Sequence, residues 1–192
     1  MAATFSAALL AGGKSRRMGR DKALLPVAGH AFLWQRQLAL LDRLAPQRVF
    51  WSGHARDGLP PHLRVVADPV PDAGPLAGIC GCLEALESEL LLVLAVDLSR
   101  MNADFLRRLL AECTSARGAV PRREERFEPL AAVYPKAMLA PAREHLAAGR
   151  RMLQDFAAAG LQAGLLQVIN VGQEDDPLFH NLNRPEDLDL SA

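Results

Sequence analysis

Phe5-Ser-Ala-Ala-Leu-Leu10-Ala-Gly-Gly13-Lys-Ser-Arg-Arg17-Met-Gly-Arg-Asp-Lys22 is the stretch whose reading decides the fold of this 192-residue chain. Its first part, Phe5–Leu10, is a short apolar run of the kind that forms a buried strand. The polar part begins at once. Gly12 and Gly13 let a backbone approach an anion closely and aim N–H groups at it, while Lys14, Arg16, Arg17, Arg20 and Lys22 supply positive charge. In open α/β sheets ligands lie beyond the carboxyl ends of the strands, so a cationic glycine loop in this place suits a polyphosphate. Its spacing matches neither the Walker pattern nor the G-x-G-x-x-G fingerprint. A basic surface turn is the plain alternative, and the strand directly ahead of the loop weighs against it.

Outward from this stretch, apolar runs at 49–51, 64–67, 90–96, 130–134 and 168–171 read as further strands. Between them, 31–44, 76–87, 103–113, 137–147 and 152–159 carry apolar residues at helical spacing. Strands that are apolar throughout belong to a sheet covered on both faces. The alternation predicts an α/β protein, a three-layer α/β/α sandwich with a mainly parallel, Rossmann-like sheet. The polar stretches 121–129 and 172–177 read as surface loops. Half the residues are apolar, enough for one buried core, so 1–192 is expected to form a single domain.

Composition narrows the partners. Twenty-two basic residues balance 22 acidic ones, which gives no broad field for nucleic acid or an anionic membrane. The start lacks a basic leader, and no apolar run approaches the roughly 20 residues that span a bilayer, so a cytoplasmic location is expected. Cys80, Cys82 and Cys113 are an odd number in a chain whose start carries no secretion signal, which argues against a disulfide framework; Cys80 and Cys82, two apart in a helical segment, are expected in the core. His30, His54, His62, His145 and His180 show no metal-ligand spacing and no nucleophile elbow, and Arg122-Arg-Glu-Glu-Arg126 reads as a solvated charge run.

Two further segments satisfy the strand-end rule. Asp97 directly follows Leu90-Leu-Val-Leu-Ala-Val96, where a lone carboxylate suits Mg²⁺, a hard cation that needs few protein ligands when phosphate oxygens complete its shell. The plainer reading is that Asp97, or Asn102, caps the next helix. In Val65-Val-Ala-Asp68-Pro-Val-Pro-Asp-Ala-Gly74-Pro-Leu-Ala-Gly78, Asp68 can assist at a nucleotide site or serve as a turn former; its residues alone favour the turn.

The loop from Leu10 to Lys22, the Asp68…Gly74-Pro-Leu-Ala-Gly78 segment, Asp97 after its strand and the ending Asn181-Leu-Asn183-Arg-Pro-Glu-Asp-Leu188 together resemble the molybdenum cofactor guanylyltransferases. The resemblance covers nearly the whole chain. It implies a sheet of the nucleotide-diphospho-sugar transferase type, GTP and molybdenum-bearing molybdopterin as substrates, Mg²⁺ as cofactor, and molybdoenzymes or cofactor-biosynthesis proteins as the class of protein partner. Carried residue by residue, it gives Leu10, Ala11, Gly12, Gly13, Ser52 and Asp68 to the nucleotide, Lys22 and Arg17 to its phosphates and Asp97 to the metal. Asn181, Asn183, Arg150 and Arg151 fall to the pterin side. Two positions depart from the pattern: Ser52 stands where the family often has Asn, and Ser99 where it usually has Pro two residues after the metal-site aspartate.

The implied reaction is attack of the pterin's terminal phosphate on the α-phosphorus of GTP, with loss of pyrophosphate. An acceptor already ionised near neutral pH needs neither a covalent enzyme intermediate nor an obligatory general base. Two alternatives stand beside it: a cytidylyltransferase, or a relative with another small acceptor, and a nucleotide-binding protein without turnover.

Overall fold

Neighbouring residues along the central strands point into two different cores. In β1 (Phe5–Leu10), Ala7 and Leu9 pack with α1 (Leu33–Asp42) and α3 (Ala103–Ala111), whereas Ala8 and Leu10 face α2 (Pro75–Glu84). In β4 (Leu90–Ala95), Leu90, Leu92 and Leu94 belong to the first core and Leu91 and Val93 to the second, which also takes in α4 (Leu139–Ala147) and α5 (Leu153–Gln162). Period-two side chains that are apolar on both faces demand cover on both faces, and helices supply it. The result is the expected α/β/α sandwich. The computed structural model of the chain describes residues 3–12, 22–27 and 29–182. Gly13, Arg17 and Asn183, and with them Lys14, Arg16 and Arg20, lie outside the described residues.

The remaining strands are β2 (Val49–Ser52), β3 (Arg64–Val66), β5 (Gly118–Arg123), β6 (Arg126–Phe127), β7 (Ala131–Pro135) and β8 (Leu166–Asn170). The sheet runs β3-β2-β1-β4-β7-β5-β6, with β8 also paired to β5. β1 pairs in parallel with β2 and β4, and β2 with β3, so these four strands end on the same edge. β7 runs antiparallel to both β4 and β5, while β5 and β8 are parallel. The sheet is therefore mixed, with a parallel core.

Residues 121–129 depart from expectation. They are not simply a surface loop, because β5 reaches Arg123 and turns back through β6 in a short hairpin. Pro121 stands opposite Glu128 in this hairpin: its carbonyl accepts the Glu128 N–H at 2.8 Å, and the proline ring leaves only the return bond of that rung unmade.

Both α2 cysteines are buried, as expected, and burial pushes the Cys82 thiol up to about 12, leaving it protonated at neutral pH. Among the described residues no helix is long and apolar enough to cross a membrane.

Candidate functional site

The carboxyl ends of the four parallel strands gather the residues that the sequence nominates. Leu10 ends β1, Ser52 ends β2, Asp68 follows β3 and Asp97 follows β4. The glycine loop leaves β1 stapled to the end of β2: the Ala11 and Gly12 N–H groups both donate to the Ser52 carbonyl, at 2.9 and 3.1 Å. This changes the expected role of Gly12. Its N–H serves the loop's own anchoring, and the Leu10 carbonyl is likewise taken, by the Val96 N–H at 3.1 Å. Among the described residues no backbone bond takes the carbonyls of Ala11 or Gly12.

Gly53, which no sequence motif singles out, makes the staple possible. Its φ is +142°, and a Cβ at this position would stand 2.9 Å from the Gly12 nitrogen and 3.2 Å from the carbonyl carbon of Ala11. Only a residue without a side chain lets the two strand ends close in this way. Gly78 plays the corresponding part on α2: its backbone packs against the Ser52 hydroxyl, and a Cβ there would lie 3.5 Å from Asp68 Oδ1 and from Leu10. The sequence Gly74-Pro75 opens that helix, with Gly74 at φ +77° as its cap and Pro75 at the first helical position. Ser52 is buried, and its main-chain carbonyl is what ties the site together.

Asp68 sits in the loop leading to α2. Loss of hydration raises its carboxyl above the usual carboxylate range, and the charge of His54 pulls it back down. Arg151 reaches this same loop, donating from Nη1 to the Asp72 carbonyl at 3.0 Å. Arg150 and Arg151 are both exposed, in the turn after Gly149. Among the described contacts neither meets Asn181, so the pterin-side residues arrive from two separate elements.

At the other end of the cluster, Lys22 Nζ donates to Asp97 Oδ2 at 3.2 Å, with the two side chains 18% and 26% exposed. The pair brings the far end of the cationic loop onto the end of β4. A part-buried pair of this length is worth on the order of 1 kcal/mol net, weak enough for either partner to be exchanged for another charge. Capping of α3 falls to Asn102, whose Oδ1 accepts the Phe105 N–H at 2.8 Å, so Asp97 is not needed as a cap. The C-terminal segment closes on the same turn: the Leu182 N–H donates to the Asp97 carbonyl at 2.9 Å, placing exposed Asn181 next to it in the chain.

Among the described residues no group of three or more His, Cys, Asp or Glu side chains gathers as a metal cage. Asp97 is one accessible carboxylate that already carries a cation, the Lys22 ammonium. That chemistry fits Mg²⁺ held by a single carboxylate together with phosphate oxygens. Among the described residues, His145 is buried against Phe156, and His180 is paired at 3.6 Å with Asp176.

Comparison with known proteins agrees with this arrangement. Residues 7–170 match the MobA-like NTP transferase domain. A protein of Opitutus terrae named probable molybdenum cofactor guanylyltransferase is 38% identical over 192 residues, covering 98% of this chain and 95% of its own. One of Syntrophotalea carbinolica, named molybdenum cofactor guanylyltransferase, is 32% identical, covering 96% of this chain and 89% of its own. Among solved structures, the molybdopterin-guanine dinucleotide biosynthesis protein A of Archaeoglobus fulgidus superposes with a TM-score of 0.75 at 20% identity over 97% of this chain and 96% of its own. A cytidylyltransferase of Thermus thermophilus, acting on 2-C-methyl-D-erythritol 4-phosphate, shares the fold with a TM-score of 0.69 at 17% identity, covering 96% of this chain and 95% of its own. A strand-end cluster of Leu10, Ser52, Asp68 and Asp97, a cationic glycine loop and relatives that match almost end to end make this chain a member of the MobA-like NTP transferase family.

Proposed function

We propose that the chain transfers GMP from GTP to the terminal phosphate of molybdenum-bearing molybdopterin, forming the guanine dinucleotide cofactor and releasing pyrophosphate. The observation that carries this reading is the Lys22–Asp97 pair at the end of β4, in a chain whose relatives are named for that activity. Asp97 would hold Mg²⁺, which when bound neutralises charge on the triphosphate.

The protein's own residues align the reactants. Lys22 gives up Asp97 for the phosphates and, with Arg17, stabilises charge that develops on the α-phosphoryl and the leaving pyrophosphate. Leu10, Ala11, Gly12 and Gly13 form the nucleotide's wall, with Ser52 and Asp68 behind them. Carbonyl acceptors at Ala11 and Gly12 would favour guanine, whose pairing edge presents two adjacent donors, N1–H and the 2-amino group. Adenine and cytosine each present one amino donor beside an acceptor, which would leave a carbonyl facing a lone pair. Asn181, next to the residue that binds the Asp97 turn, and Asn183, Arg150 and Arg151 orient the pterin. The acceptor phosphate is itself the nucleophile, so its oxygen attacks phosphorus while the bond to pyrophosphate breaks, and no enzyme group changes protonation.

The test supplies purified protein with α-labelled GTP and molybdenum-bearing molybdopterin. Label should enter a guanine dinucleotide product in step with pyrophosphate, and neither should form without the pterin. Tight GTP binding with no pyrophosphate in the presence of the pterin would make the chain a nucleotide-binding protein without turnover.

A further inference from the structure

Gln37 occupies a place in α1 that its neighbours give to apolar side chains. Leu33, Trp34, Leu38 and Leu41 form the buried stripe of that helix, and Gln37 lies within it with no exposed surface. A buried primary amide is costly unless its donors and its acceptor are paired, so its partners explain its presence. Nε2 donates to the carbonyls of Val96, at 3.3 Å, and Leu98, at 2.8 Å. These carbonyls belong to the residues on either side of Asp97. Oε1 accepts from Arg36 Nη1 at 3.0 Å, which orients the amide with its donor end toward the turn. Arg36 Nη2 donates to the Met101 carbonyl at 3.4 Å, extending the brace to the end of the turn.

We propose that Gln37, oriented by Arg36, is a positioning residue that fixes the aim of the Asp97 carboxylate for its metal; the inference rests on the reading of Asp97 as the Mg²⁺-holding group. The peptide units on either side of Asp97 set the direction of its Cα–Cβ bond. Gln37 holds the preceding unit by the Val96 carbonyl from inside the core, the Leu182 N–H holds the following unit by the Asp97 carbonyl, and the second Gln37 bond, to the Leu98 carbonyl, fixes the next peptide of the turn. A small, hard cation demands near-octahedral geometry, so a ligand that swings by a few tenths of an ångström loses affinity. Partners that orient a metal ligand are typically worth about 10- to 100-fold in metal binding.

The test measures Mn²⁺ as a stand-in for Mg²⁺, bound to the protein with saturating GTP, by the loss of the free-ion paramagnetic resonance signal. Gln37→Met keeps the volume and removes both donors, and should raise the Mn²⁺ half-saturation about 10-fold. Metal-free GTP affinity should stay within about twofold, since no nucleotide contact is touched. Leu109→Ala, which opens the same core on α3 away from the turn, should leave Mn²⁺ binding unchanged, separating positioning from general destabilisation. Gln37→Asn, with its amide one methylene short, carries the same test should the methionine variant fail to fold. Asp97→Asn sets the scale. If it leaves the Mn²⁺ half-saturation unmoved, the reading of Asp97 falls and the role of Gln37 with it. If Asp97→Asn shifts binding while a folded Gln37 variant matches the native protein, the role of Gln37 alone is overturned.

Discussion

Gly53→Ala probes the staple between the glycine loop and β2. At φ +142° an alanine is held in a region that L residues rarely adopt, a strain of about 1–3 kcal/mol. The added methyl would stand 2.9 Å from the Gly12 nitrogen and 3.2 Å from the Gly12 Cα and the Ala11 carbonyl carbon, all backbone atoms that cannot swing aside. The loop must retreat, which lengthens the two N–H bonds to the Ser52 carbonyl, each worth about 0.5–1.5 kcal/mol. A total of about 2–6 kcal/mol results, and at about 2–4 °C per kcal/mol for a chain of this size Tm should fall by roughly 4–24 °C. GTP affinity should fall too, because the displaced atoms belong to the proposed nucleotide wall. Gly58→Ala is the control: Gly58 lies in the same loop at φ +81° with nothing within 4 Å of an added Cβ, so it carries backbone strain alone and should leave GTP affinity unchanged. Thermal unfolding and GTP titration calorimetry on both variants decide the matter. If Gly53→Ala behaves like Gly58→Ala in both assays, the close approach of the two strand ends is not what builds the wall.

Two other variants separate chemistry from stability. Lys22→Ala removes the cation from the end of β4 and should lower turnover by about 10²- to 10³-fold with the fold intact, as deletion of one preorganised electrostatic stabiliser does; unchanged turnover at saturating substrate would take Lys22 out of the mechanism. Asn102→Ala removes the α3 cap, should cost about 1 kcal/mol as a Tm loss of roughly 2–4 °C, and should leave kcat at low temperature unchanged; a large loss of kcat there would place Asn102 in the site.

The strand-end rule makes most of the site legible in the amino-acid sequence. Leu90–Ala95 is apolar throughout and Phe5–Leu10 apart from Ser6, and the residues just beyond such strands line the functional edge, so Asp97 stands out by position and Lys22 as one of the five cations of the loop after β1. Their pairing across 75 positions does not, because periodicity leaves strand order open. The same blindness hides the reversal of β7, whose apolar run looks like that of any parallel neighbour. The β5–β6 hairpin escapes because Pro121 and three arginines resemble a loop, although Pro121 keeps its place in the ladder through a carbonyl that accepts the Glu128 N–H. Gly12 suggests an N–H group for an anion; its partner is the main chain of Ser52, and a carbonyl carries no sequence signal. Gln37 does leave one: an amide at the i+3 and i+4 positions of Trp34 and Leu33, in an otherwise apolar helical stripe, is a polar group that must be buried for a reason.

The central claim, that this site hands GMP to a pterin phosphate, is tested most directly by kcat/KM for GTP, CTP and ATP with molybdenum-bearing molybdopterin as the one acceptor. Carbonyl acceptors at Ala11 and Gly12 predict that GTP leads both others by at least about 10²-fold, below the roughly 10⁴- to 10⁵-fold that a site built to hydrogen-bond its substrate can reach against an analogue that leaves those groups unpaired. Lys22→Ala should depress all three triphosphates by the same factor, since phosphates are common to them. CTP leading by tenfold or more would contradict the account and make the chain a cytidylyltransferase on the same scaffold.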